Sequence, residues 1–143
     1  MCAGWRDLSI VPELICSDIS RSVAFYERLG FRVVYERAEE RFALLRRDGA
    51  AALMLEQPVE RDRLFPNAPL EHPYGRGVNL EIEVTDASSL FAAAADAQLI
   101  LPLEERWYPR GDDEVHVRQF AIADPDGYVL RFSETRGTRP RQP

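Results

Sequence analysis

The chain has 143 residues, of which 45% are hydrophobic and 29% are charged, and its formal net charge is −6. A globular domain of this size buries roughly 70% of its unfolded surface, so its folding requires neither a disulfide nor a metal. The acidic balance argues against nucleic acid as a partner, and no apolar run reaches the roughly 20 residues of a membrane span.

The first half of the chain predicts a βαβββ unit. Residues 8–16 are strand-like, and the helix that follows is capped by Ser17 or Asp18. Its apolar positions Val23, Phe25 and Leu29 recur at helical spacing, and Gly30 ends it. Three strands are predicted after the helix: residues 32–38, 41–47 and 50–56, the last two joined by a hairpin turn at 48–49.

Residues 57–76 contain four prolines and one glycine without any periodicity, which indicates a connector. The pattern then restarts. Residues 77–84 alternate strictly, a capped helix begins after Asp86, and a strand follows that Pro102 places at a sheet edge or a bulge. Residues 108–114 predict a loop. Two strands joined by the turn DPDG complete the half, and a flexible tail is predicted for residues 135–143.

The two halves therefore read as one unit used twice. Residues 8–56 form module one and residues 77–134 form module two, within a single domain that spans residues 1–143. The second module is longer by about ten residues, which the sequence places in the loop around 106–114. The expected fold class is α+β.

The segments VPELICSDISRSVAFYERLGFRV and FAIADPDGYVLRF resemble the vicinal oxygen chelate superfamily, which includes glyoxalase I, extradiol dioxygenases and bleomycin resistance proteins. The resemblance covers roughly residues 8–134 and implies two βαβββ modules that form one cupped mixed sheet. It also implies metal ligands in the metal-dependent members: a His or Glu on the first strand of each module and a Glu on each last strand.

Carried over position by position, these ligand sites fall on Val11, Asn79 and Arg131, with Glu56 offering a carboxylate only at the end of module one. Valine cannot bind a metal, and an arginine is a fixed cation that repels one. The two histidines lie outside the family's ligand positions. We therefore expect no metal, no cofactor and no catalytic residue.

Strand alternation predicts which polar side chains face the cup. These residues are Glu13, Asn79, Glu81, Gln119 and Arg131. Because a buried, unpaired arginine is costly, we expect Glu81 or Glu13 to pair with Arg131. This polar face has two interpretations: a solvated or paired surface, and a site that orients a polar ligand.

The segment preceding DPDG resembles the bleomycin-resistance branch, in which an aromatic loop lines the drug crevice. Trp107 and Tyr108 occupy that place, and such rings can stack on planar heterocycles or contact a cation. The alternative is a tryptophan that only packs the loop onto the sheet. The resemblance to this branch also implies a homodimer.

The sequence thus predicts a cytoplasmic, metal-free protein that sequesters a small organic ligand of cationic or heteroaromatic character. Its predicted ligand-binding residues are Glu13, Asn79, Glu81, Trp107, Gln119 and Arg131. The alternative is a glyoxalase- or dioxygenase-like lyase, isomerase or oxidoreductase, with atypical metal ligands or with Glu81 or Glu13 as a metal-free general base. A non-catalytic sensor domain is a third class.

Overall fold

A computed structural model describes residues 8–48, 51–59 and 64–142. The chain forms two compact units: the first extends to residue 76 and includes Pro125–Tyr128, and the second begins at Gly77. The glycine of the predicted turn at 48–49 lies outside the described residues. No helix in the described parts of the chain is long and apolar enough to cross a membrane.

The first unit is a four-stranded mixed sheet with one helix. Its elements are β1 (Glu13–Ile15), α1 (Ile19–Arg28), β2 (Arg32–Arg37), β3 (Phe42–Arg47) and β4 (Ala51–Glu56). The strand order is β1-β4-β3-β2. The pair β1–β4 is parallel and the other pairs are antiparallel, which is the arrangement that a βαβββ unit requires.

Helix α1 begins as its sequence predicts, because the Asp18 carboxylate accepts a hydrogen bond of 3.1 Å from the backbone nitrogen of Arg21. Its buried face differs in one position from the prediction. Tyr26 is fully buried, whereas Val23 is only half-buried. The Tyr26 ring packs edge-on against its neighbour Phe25 and against Phe31, at 5.3 and 5.4 Å between centroids, so aromatic packing decides which residues the helix buries.

The second unit repeats this topology. Its elements are β5 (Asn79–Glu83), α2 (Ala87–Ala93), β6 (Gln98–Arg110), β7 (Asp113–Ala123) and β8 (Val129–Pro140). The order is β5-β8-β7-β6, with β5 and β8 parallel. The predicted α+β class with two βαβββ modules is therefore confirmed. Pro102 lies in the edge strand β6, as expected for a residue that cannot donate to a ladder. How the two modules form a cup stays a prediction.

One face of the second sheet packs under α2. Phe120, Ile122, Leu130 and Phe132 are at most 1% exposed, and the ring of Phe91 on α2 contacts Phe120 at 5.2 Å between centroids. Alternation along the strands had assigned these four residues to the helix side. The neighbouring residues in β7 and β8 therefore point to the opposite face, where the candidate site lies.

Three strands extend beyond the segments that the sequence predicted. Residues 108–114 were expected to form a loop and 135–143 a flexible tail, yet Tyr108 pairs with Val115 and Val115 pairs with Thr138. The β6–β7 turn is confined to residues 111–112. Continuous pairing satisfies the backbone groups of these polar segments, which is why they are strands despite their loop-like composition.

Candidate functional site

Arg131 lies on β8, on the face of the sheet that points away from α2. Its Nη2 is 3.4 Å from Glu81 Oε2, so the predicted pairing with Glu81 is present. Its Nη1 donates a hydrogen bond of 3.1 Å to Gln119 Oε1, and its Nε donates a weaker one of 3.5 Å to Asn79 Oδ1. Glu81 lies directly opposite Arg131 in the parallel pair β5–β8, which places the two side chains on the same face.

Gln119 connects this arginine to the neighbouring strand β6. Its side chain is nearly inaccessible, at 2% exposure. Its Nε2 donates to Glu104 Oε2 at 2.9 Å and to Tyr108 Oη at 2.6 Å. An ionised carboxylate only accepts and a guanidinium only donates, so these two neighbours fix the orientation of the amide. Gln119 thereby uses both N–H groups and its oxygen within the protein.

A groove of about 590 Å³ opens over these side chains. Its lining combines charged, hydroxyl and aliphatic groups: Glu81, Tyr108, Arg110, Val115, Val117, Arg131, Ser133 and Thr135. This volume suits a drug-sized organic molecule, with aliphatic walls to bury its body and polar groups to orient it. All of the lining residues belong to the second unit.

Arg110, the second arginine in the groove lining, forms an ion pair with Asp113. Arg110 forms two hydrogen bonds with Asp113, of 3.1 and 2.9 Å. These bonds raise the pKa of Arg110 and lower the pKa of the Asp113 carboxyl, because they favour the charged form of each group. Arg131 and Glu81 are the other charged residues that line the groove, and they form an ion pair with each other.

Trp107 does not join this group of side chains. It lies in strand β6 and not in the predicted loop, and it points to the opposite face of the sheet from Tyr108. Its ring stacks on His116 at 4.6 Å between centroids, and the Arg139 guanidinium lies 3.8 Å from the ring centroid. Trp107 thus packs against its own strand neighbours, which matches the alternative interpretation of this residue.

The structure brings together four of the predicted site residues: Asn79, Glu81, Gln119 and Arg131. Glu13 is exposed on β1, opposite Met54, and belongs to the first unit. Its role in a ligand site stays a prediction.

Two members of the cluster, Glu104 and Tyr108, were not among the predicted ligand-binding residues, although Tyr108 was named with Trp107 as part of the aromatic loop. Both lie on β6 at positions of the same parity, and Glu104 pairs directly with Gln119. The signal that could have found them is the alternation of β6 continued through residue 110. Because residues 108–114 were predicted to form a loop, the strand alternation was not extended to Tyr108.

The residues at the family's ligand positions do not fit a divalent cation. The Arg131 guanidinium contacts the oxygens of Asn79 and Glu81, and the Val11 side chain has no atom that can bind a metal. Glu56 is buried at the end of β4, in the first unit. Within residues 8–48, 51–59 and 64–142, no three His, Cys, Asp or Glu side chains are grouped so that they could hold a metal ion.

Comparison with solved structures finds several proteins to which this chain is similar. A superfamily member from Vibrio splendidus 12B01 is 37% identical over 88% of this chain and 97% of its own, with a TM-score of 0.40. TioX from Micromonospora sp. ML1 is 24% identical over 87% of this chain and 96% of its own, with a TM-score of 0.66.

A bleomycin resistance determinant encoded on the transposon Tn5 is 23% identical over 88% of this chain and 96% of its own, with a TM-score of 0.56. Among curated proteins no significant match was found. The model of one family matches residues 9–132, which is most of the chain. The chain therefore belongs to the glyoxalase/bleomycin resistance protein/dioxygenase superfamily.

Proposed function

We propose that this protein binds a small organic molecule in the groove of its second unit without a metal ion, and acts by sequestering it. The single observation that carries the proposal is the Arg131 guanidinium, held by Glu81 and Gln119 at the position where the resemblance implies a metal-binding carboxylate. A fixed cation at that position favours an organic guest over a catalytic cation.

The groove supports this function chemically. Val115 and Val117 provide apolar wall, while Glu81 and Arg131 provide groups of opposite charge that can orient a polar ligand. Pockets that combine a largely apolar surface with a few convergent polar groups are typical of small-molecule sites. The bleomycin resistance determinant with the same fold gives a first probe, a cationic heteroaromatic drug.

The experiment is a calorimetric titration of metal-free bleomycin into protein that has been dialysed against EDTA. We expect saturable one-to-one binding that is unchanged when the chelator is present, and we expect mass spectrometry to recover the drug unaltered. Thr135→Trp, which fills the groove, should weaken binding at least tenfold.

Arg136→Trp is the matched control, because Arg136 lies on the same strand at an exposed position, pairs with Glu105 and Glu134, and does not line this groove. The proposal fails if bleomycin and a panel of other cationic heteroaromatic drugs do not bind at millimolar concentration. A requirement for a divalent metal, or chemical conversion of the ligand, would favour the enzyme alternative. The homodimer implied by the resemblance is checked by light scattering.

A further inference from the structure

The hydroxyl group of Tyr108 has a defined donor direction. Gln119 Nε2 donates to Tyr108 Oη at 2.6 Å, and the amide cannot be reversed because its other neighbours are Glu104 and Arg131. Tyr108 is therefore an acceptor toward Gln119, and its own proton must point elsewhere. Among the residues that the structure describes, none accepts this proton, and Tyr108 lines the groove.

Arg131 adds a second donor beside it. The guanidinium has five N–H groups, of which one donates to Asn79 and one to Gln119, while Nη2 forms an ion pair with Glu81 at 3.4 Å. The remaining N–H groups make no hydrogen bond to the residues that the structure describes, and the side chain is 30% exposed along the groove. Tyr108 and Arg131 bond to the nitrogen and the oxygen of the same Gln119 amide, and both line the groove, so both present donors to a ligand in the same region.

The Glu81 carboxylate, which contacts Arg131, provides a hydrogen-bond acceptor in the same groove. Glu81 Oε2 is 3.4 Å from Arg131 Nη2, and the Glu81 side chain is 53% exposed. In the described part of the chain no further donor bonds to this carboxylate, so its second oxygen is available to a ligand in the groove. The same carboxylate disfavours a bare anion at this place through like-charge repulsion.

From these contacts we propose, on the basis of the proposed function, that the ligand class is an amino-carbonyl compound. Its carbonyl or amide oxygen accepts from Tyr108 Oη–H and an Arg131 N–H, and its protonated amine binds Glu81. The carbonyl oxygen satisfies donors that are otherwise unpaired when the ligand excludes water, and the amine offsets the charge of the carboxylate. Val115 and Val117 contact the apolar body of the ligand.

Three probes that share an indole ring test this assignment by calorimetry or ligand-observed NMR. Tryptophanamide carries both polar groups, tryptamine only the amine, and indole-3-propionamide only the carbonyl. We expect tryptophanamide to bind roughly five- to tenfold more tightly than either of the others, as the loss of one hydrogen bond or ion pair predicts.

Two variants separate recognition from a general structural effect. Tyr108→Phe should weaken tryptophanamide and indole-3-propionamide about fivefold and leave tryptamine unchanged, because only the first two use the hydroxyl proton. Glu81→Gln should weaken tryptophanamide and tryptamine and leave indole-3-propionamide unchanged. Arg136→Trp again serves as the control outside this groove.

The assignment is overturned if tryptophanamide binds no more tightly than tryptamine, including the case in which neither binds. It is also overturned if Tyr108→Phe weakens all three probes equally, because that pattern indicates a structural role. In either case the proposed function is judged separately, by the bleomycin titration.

Discussion

The side chain of Gln119 shows why an amide suits the centre of this site. The amide nitrogen donates to the Glu104 carboxylate at 2.9 Å, and the amide oxygen accepts from the Arg131 guanidinium at 3.1 Å. A carboxylate at this position would be repelled by Glu104, and a cation would be repelled by Arg131. An amide supplies a donor and an acceptor at once, so it links two opposite charges in a buried position without adding a charge of its own.

Replacing Gln119 by Leu should therefore destabilise the fold. The substitution removes the acceptor of Arg131 and the donor to Glu104, and it leaves Tyr108 Oη without its donor. We expect a loss of about 2 kcal/mol in the free energy of unfolding, measured by urea denaturation. The matched control Gln98→Leu, at an exposed position of β6, should change stability by less than about 0.5 kcal/mol. Equal losses in the two variants would contradict the role assigned to Gln119.

At the scale of single elements, the N-terminus of helix α2 is capped by the side chain of Asp86. The Asp86 carboxylate accepts hydrogen bonds from the Ser89 hydroxyl at 2.7 Å and from the Ser89 backbone nitrogen at 3.1 Å. The side-chain hydrogen bond from Ser89 is the main cause that lowers the pKa of Asp86 below its usual value. The ionised carboxylate is thus the form that caps the helix best.

This cap predicts a pH dependence with a definite sign. Because the folded-state pKa of Asp86 is depressed, its contribution to stability is fully present above the unfolded-state pKa and is lost as pH falls through the folded-state value. The thermal midpoint of the natural chain minus that of Asp86→Asn should be constant near neutral pH. This difference should decrease below about pH 4, because protonation removes the stabilising charge of Asp86.

Ser89→Ala, which removes the hydroxyl donor and keeps the carboxylate, should show a smaller acid dependence than the natural chain. If the difference between the natural chain and Asp86→Asn stays the same from neutral pH to about pH 2, the carboxylate does not stabilise the helix by the proposed means.

The elements of the second unit also explain why the site has a groove. The strands β6, β7 and β8 are longer than their counterparts β2, β3 and β4 in the first unit. Tyr108, Val115 and Thr135 lie on the extended part, and they form much of the groove lining. The longer strands therefore supply much of the surface on which this groove lies.

At the scale of the whole molecule, the chain returns to the first unit within the turn DPDG. The backbone nitrogen of Ser17 donates to Asp126 Oδ2 at 3.0 Å, and that of Tyr74 donates to the Asp126 carbonyl oxygen at 2.8 Å. The Tyr128 hydroxyl donates to the carbonyl oxygen of Ile15 at 2.9 Å. These bonds make residues 125–128 part of the first unit, although β7 and β8 on either side belong to the second.

This chain path predicts that the two units unfold together, and Gly127→Ala tests it. Gly127 has φ +89°, and an added Cβ would overlap the side chain of Pro73, with Pro73 Cα only 2.8 Å away. We expect a loss of about 3 kcal/mol from backbone strain and overlap, with coincident transitions for circular dichroism and for Trp107 fluorescence in a Trp5→Phe background.

Gly111→Ala is the matched control, since Gly111 also has a positive φ of +60° but has open space around the added Cβ. It should cost only about 1 kcal/mol. Two separate transitions in Gly127→Ala, or equal losses in the two variants, would argue against this coupling.

The sequence by itself determined the two modules and the faces of their inner strands. Alternation has a period of two along any strand, so it assigned Phe120 and Phe132 to the helix side and Gln119 and Arg131 to the other face without knowledge of the fold. The substitution of Arg131 for a metal ligand was likewise visible from the family pattern alone, because the charge of an arginine does not depend on its surroundings.

Only the tertiary structure decided the extent of the strands, and with it the members of the site. Residues 106–114 have the composition of a loop, yet pairing of β6 with β7 places Tyr108 beside Gln119 and turns Trp107 to the opposite face. Composition reports what a segment prefers in isolation, whereas backbone hydrogen bonds to distant strands fix its register. Those long-range bonds determine which side chains meet in the groove.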